Sequence, residues 1–203
     1  MPSGLGSNNL GADTMNLNEL HLALVSRSRN QLGFARTAGV SVPFLGYAQC
    51  PINFDEYEVS DTEALKAVGA FLELSDSDRL HLSPQVHAHY AASVRAMGGE
   101  YEDECDMLGG KAPPASHEDV WRLVTGSDLM VRKENDTLYV LVVSDCEWDL
   151  DHGFCLIFRH GKELVRVGDL NCGSLEPEQP GERPDLASLE GLGAAHMISY
   201  ERM

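Results

Sequence analysis

Two apolar runs in the second half of the chain, Thr137–Ser144 and Gly153–His160, carry hydrophobic side chains on both faces. In the first, Tyr139, Leu141 and Val143 alternate with Leu138, Val140 and Val142. In the second, Phe154, Leu156 and Phe158 alternate with Cys155 and Ile157. Short runs that are apolar on both faces predict central strands covered from both sides. Asp128–Glu134 leads into the first run through Asn135-Asp136, and Glu163–Gly168 leaves the second through Gly161-Lys162. In Glu163–Gly168, Leu164 and Arg166 oppose Val165 and Val167, which predicts a half-exposed strand. Short polar links between such runs predict an antiparallel meander.

Upstream, the hydrophobic period becomes helical. Ser60-Asp61-Thr62-Glu63 is a capping box and predicts a helix through about Leu74. Leu65, Val68, Phe71 and Leu72 lie on one face of it. Ser83-Pro84 predicts a second helix, with Ser as the cap and Pro at the first position. Its apolar stripe is Val86, Tyr90, Val94 and Met97, and Gly98-Gly99 ends it. Ser116 is expected to cap a short helix containing Val120, Trp121 and Val124. Leu17, Leu20, Leu24 and Val25 recur at helix-like spacing. Val40–Cys50 is expected to be extended, with Pro43 and Gly46 confining it to an edge or a bend.

These elements predict an α+β fold: N-terminal helices packed on a mainly antiparallel sheet, with a C-terminal β-meander. Residues 1–15, rich in Gly, Ser and Asn, are expected to be a flexible leader. Residues 16–172 form a single domain, helical over about 60–125 and a meander over about 128–168. Residues 173–203, rich in Pro, Gly, Glu and Ser, are expected to be a loop and tail.

The formal net charge of −17 narrows the choice of partners. Phosphate binding needs clustered Lys and Arg, so nucleic acid is excluded as a partner. Anionic membrane surfaces are disfavoured for the same reason. A basic protein partner is permitted, with electrostatically steered association. The acids are unevenly placed: residues 51–106 hold 13 acids against three bases. No apolar run approaches the roughly 20 residues that span a bilayer, and the first residues do not read as a secretory signal. The expectation is a soluble, cytoplasmic protein. The five cysteines are irregularly spaced with no CxxC, so free thiols are expected and no cofactor motif is present.

Between the two central strands lies the densest chemistry, DCEWDLDHG. Asp145, Glu147, Asp149 and Asp151 alternate with Cys146, Trp148 and Leu150, and His152 follows. The acid spacing matches the first half of a calcium loop. However, Leu150 stands where Gly is needed and Leu156 where Glu is needed. Cys146, His152 and Cys155 are a conceivable zinc set, though their spacing fits no standard knuckle. Cys146 with His152 is a conceivable nucleophile and base, but acidic neighbours oppose thiolate formation. A structural reading stands beside these. Asp145 or Asp149 caps turn N–H groups, His152 holds the turn, Gly153 supplies a positive φ and Trp148 covers the sheet edge.

Elsewhere, His81, His87 and His89 do not share a helix face and are expected to be exposed, and Trp121 is expected to be core. Glu100, Glu102, Asp103, Glu104 and Asp106 are expected to be a solvated loop, or else a phosphate mimic facing a basic surface. P-loop, GxGxxG, GxSxG and HExxH motifs do not occur.

The segment from Asp145 to Gly168 resembles a bacterial family of uncharacterised domains. In that family an acidic-Trp-acidic-x-acidic-His-Gly loop precedes an apolar strand, a Gly turn and a last strand ending in Val-Gly. Trp148, Asp151, His152 and Gly153 match the loop pattern, and the match covers about residues 139–170. The family occurs near toxin-immunity loci, so the resemblance implies binding rather than catalysis and supplies no catalytic residues. The expected function is an immunity-type inhibitor that neutralises a basic toxin domain by direct contact. Its expected contact residues are Asp145, Glu147, Trp148, Asp149, Asp151, His152, Glu102, Asp103 and Glu104, with Trp148 as aromatic anchor. The alternative is a metal-binding module or metal-dependent enzyme using the 145–152 carboxylates and His152.

Overall fold

The computed structural model describes residues 28–29, 35–54, 61–98, 103–169 and 175. Its strands are β1 (Ser28–Arg29), β2 (Ala35–Arg36), β3 (Val40–Val42), β4 (Tyr47–Cys50), β5 (Ile52–Phe54), β6 (Val124–Glu134), β7 (Thr137–Cys146), β8 (Phe154–Arg159) and β9 (Glu163–Gly168). Its helices are α1 (Asp61–Leu72), α2 (Asp76–His81), α3 (Ser83–Met97) and the single turn α4 (Glu104–Met107). Among the described residues the main sheet runs β1-β2-β5-β6-β7-β8-β9, and β3 and β4 pair separately. The fold is therefore α+β, with the last four strands an antiparallel meander.

The meander follows from turn chemistry. Asn135 and Asp136 have φ of 48° and 62°, the left-handed pair that a two-residue hairpin loop requires. They close β6 on β7 with Glu134 opposite Thr137. The β8–β9 turn centres on His160 and Gly161, φ 50° and 79°, one residue earlier than the sequence suggests. Lys162 N–H donates to the Arg159 carbonyl across it, at 3.1 Å. Glycine is required at 161 on a second ground, because a Cβ there would lie 2.0 Å from the Ala67 carbonyl oxygen of α1. The turn therefore docks on α1, and Lys162 Nζ reaches the Glu73 carboxylate just beyond that helix.

Both faces of β7 and β8 are buried, as their patterns predict. On one face Leu138, Val140, Val142, Phe154, Leu156 and Phe158 pack against α1 and α3. Phe44, Phe71 and Phe158 meet there with ring centroids 5.1–5.5 Å apart. On the other face Tyr139, Leu141, Cys155 and Ile157 are buried together with Leu175. Burial of this apolar area, at about 25 cal/mol per Å², is the main stabilising contribution.

Several local expectations are corrected. Ser83 does not cap α3: Leu82 is the cap residue, with no side-chain cap bond, and Ser83 is already helical. The Ser83 hydroxyl instead donates to the Leu80 carbonyl (2.7 Å) and accepts from Trp121 Nε1 (2.9 Å). Pro84 tolerates this position because first-turn N–H groups need no helical acceptor. An additional short helix, α2, precedes it, opened by a reciprocal Ser75–Asp78 capping box. Ser116 Oγ does accept from Asp119 N–H (3.2 Å), but the helix that follows, Glu118–Leu123, is 3-10, and Val124 already belongs to β6. Val40–Cys50 is not one extended piece. A 3-10 turn at Pro43–Leu45, closed by Gly46 at φ 68°, folds it into the β3–β4 hairpin. The short β5 runs parallel to β6, with Ile52 opposite Leu129. The expected cap Ser60, Gly99 and the Leu17–Val25 spacing lie outside the described residues, as do the leader and most of the tail. Among the described residues no helix is long and apolar enough to cross a membrane.

Candidate functional site

The acidic turn starts from a distortion in the sheet. The β6–β7 register shifts between Thr125 and Ser127, where Gly126 takes φ 54°. This is the geometry of a bulge with a left-handed glycine. A Cβ at Gly126 would lie 3.3 Å from Asp145 Oδ2, so the exposed Asp145 carboxylate lies over the bulge. Past the bulge, β7 continues to Cys146, opposite Val124. Glu147 N–H then donates to the Leu123 carbonyl at 3.0 Å, tying the turn to the end of the 3-10 helix.

Trp148 is 1 % exposed and belongs to the main core. Its ring meets Phe154 and Tyr90 edge-on, at centroid distances of 5.5 and 5.6 Å, and lies 6.3 Å from His89. The expectation of Trp148 as a surface anchor is therefore corrected. The indole faces inward and fixes the turn to α3. Its Nε1 is buried with no hydrogen-bond partner among the described residues. Leaving that donor unpaired costs on the order of 1–3 kcal/mol, which the ring's packing outweighs.

Asp149 organises the rest. Its Oδ1 accepts from the His152 N–H at 3.0 Å, and His152 Nδ1 lies 3.0 Å from the same oxygen. Its backbone carbonyl accepts from Gly153 N–H (3.0 Å) and from the Cys146 thiol (3.5 Å). Gly153, at φ 66°, completes the reversal into β8. These are the roles of the structural reading: a carboxylate capping turn N–H groups, a histidine held at the turn and a glycine at positive φ. Glu147, half-buried, pairs with Lys111 Nζ at 2.6 Å.

Besides Asp145 at the end of β7, the residues brought outward are Leu150, Asp151 and His152. Leu150 is 80 % exposed, the one exposed large hydrophobic residue among those described. In the sequence alone Leu150 is no more than a mismatch to a calcium loop. The available signal was an apolar residue flanked by acids in the middle of a turn.

The second acidic segment is built differently. Asp103 Oδ1 accepts from Asp106 N–H at 2.9 Å and caps α4, where a loop was expected. Glu104 accepts from the Tyr90 hydroxyl, and burial together with that carboxylate holds the Tyr90 hydroxyl well above its ordinary range. Glu102, also expected at the contact surface, lies outside the described residues.

The chemistry of the cysteines follows from where the sheet puts them. Cys146 lies in the core on the helix side, whereas Cys155 lies among the residues of the opposite face. With His152 exposed, the three do not come together as a zinc set. Burial pushes the Cys146 thiol up to about 12, and the Asp149 and Asp145 carboxylates add to the rise. A thiol in that state is protonated at neutral pH and is a poor nucleophile. Among the described residues no group of three or more His, Cys, Asp or Glu is placed to hold a metal ion.

The three histidines expected to be exposed differ in their surroundings. His81 is exposed as expected, with Nδ1 2.6 Å from the Ser77 carbonyl, whereas His87 is half-buried and its ring is tilted against that of His117, centroids 4.8 Å apart. His89 is half-buried between Trp148 and Phe154. Trp121, expected in the core, is half-buried against it, with the Arg79 guanidinium 5.3 Å from the ring centre.

Residues 24–175, about three quarters of the chain, match the model of a family described as a domain of unknown function (DUF6985). No curated protein matches the chain, and no solved structure does.

Proposed function

We propose a binding role for this chain, which belongs to the DUF6985 family: it is a non-enzymatic acidic protein that engages a basic protein partner through the tip of the 145–152 turn. The observation that carries this reading is the exposed Leu150–Asp151–His152 tip on a turn whose base, Trp148, is core. A surface held in place before binding loses little conformational entropy when a partner docks. An exposed apolar residue flanked along the chain by Asp149 and Asp151 is compatible with an apolar contact inside a polar rim. The net charge of −17 favours basic partners and speeds their approach. The finer reading is an immunity-type inhibitor acting on a basic toxin domain, and it draws support from the likeness of the acidic-Trp turn to domains found near toxin-immunity loci.

The test uses the tagged full-length protein and its Leu150→Ser/Asp151→Asn variant as baits in native cell extract, at low and moderate salt. A basic protein held by the wild type, released as salt rises and missed by the variant is the expected result. Equal retention by the folded variant would refute the assignment to the tip. An empty wild-type lane at low salt would refute the basic partner.

A further inference from the structure

We infer that His89 is a pH-sensitive brace under the acidic turn: the neutral ring seats Trp148, and protonation of the ring unseats it. His89 projects from α3, half-buried, with its ring centre 5.9 Å from that of Phe154 and 6.3 Å from that of Trp148. The two aromatic rings are uncharged and cannot replace the water an imidazolium needs. Among the described residues, the carboxylates that act electrostatically on His89 are Asp149 from the turn and Asp169 just past β9. On the same helix, His87 turns instead toward Tyr90 and His117. Burial holds His89 below its ordinary 6.5, and the two carboxylates offset part of that.

The sign follows from this direction. Well above pH 6.5 the ring is neutral in both folded and unfolded chains and contributes no pH dependence. As pH falls below 6.5 the unfolded chain takes up the proton first, so stability is lost progressively down through the lower folded value. Within the fold, the imidazolium gains by moving toward Asp149. Asp149 is already the acceptor for the His152 N–H that closes the turn, so the two compete for one carboxylate. The His152 ring also lies against that carboxylate, Nδ1 to Oδ1 3.0 Å. The two histidines therefore have to be separated experimentally.

The consequence for partner binding rests on the reading of the turn as a binding surface. The brace is testable without any partner, so its failure is distinct from a failure of that reading. In full-length Trp121→Phe protein, Trp148 is the sole indole, and a neighbouring imidazolium quenches indole emission. The expected result is a fall in emission between pH 8 and 5 with a midpoint below 6.5. It should persist with His152→Gln added and vanish with His89→Gln added. A flat titration, a midpoint at or above 6.5, or a fall that survives His89→Gln overturns the proposal. Should Trp121→Phe fail to fold, the ring-proton NMR titration of wild-type His89, assigned by its loss in His89→Gln, reads the same midpoint. A value below 6.5 then supports the brace, and a value at or above 6.5 overturns it.

Discussion

Two acid-rich segments flank α3, and they use their carboxylates in opposite ways. In the segment around α4, Asp103 caps the helix, Glu104 accepts from Tyr90, and Asp119 accepts from Ala115 N–H and pairs with Arg122. Those acids are structural parts of the loop they sit in. In the turn after β7 the work is divided: Glu147 and Asp149 are tied down, while Asp151 stands at the tip beside Leu150. The Lys111–Glu147 pair joins the two segments, so they form one surface with different degrees of commitment. The density of acids in a sequence thus overstates the charge free to meet a partner.

Substitutions in the two segments should differ in cost accordingly. Trp148→Ala should be the most damaging, costing about 3–5 kcal/mol in denaturant unfolding, because it empties a large core site. Asp149→Ala removes the acceptor that closes the turn and should cost about 1–2 kcal/mol. Tyr90→Phe deletes the hydroxyl that donates to Glu104 and should cost about 1 kcal/mol, with the loss confined to the α4 side. Amide exchange across 103–110 would show that loosening while 145–153 stays protected. Lys111→Ala breaks a half-exposed pair and should cost less than about 1 kcal/mol. Added salt should shrink that difference.

The meander was legible because its signals are local: two-faced apolar runs and left-handed turn residues Asn135 and Asp136. The parallel β5–β6 pairing was not, since Ile52 and Leu129 are brought together only by the helical segment between them. The Ser75–Asp78 box was present in the sequence, but α2 is too short to show an apolar period. Ser83 resembled a cap because the helix preceding it was missed, so Leu82 did not stand out as the junction. At the site, the structural roles of Asp149 and Gly153 could be read from turn chemistry. The direction of Trp148 could not. A tryptophan between acids looks solvent-facing until α3 supplies Tyr90 and His89 for it to pack against. Leu150 gained meaning only once its neighbour was found inside.

An alanine scan from Cys146 to His152, read by denaturant unfolding, separates the core half of this turn from its free half. The losses should concentrate at Trp148 and Asp149, while Leu150→Ala and Asp151→Ala stay within about 0.5 kcal/mol of wild type. A Leu150→Ala loss as large as that of Trp148→Ala, or a Trp148→Ala protein as stable as wild type, would contradict the account.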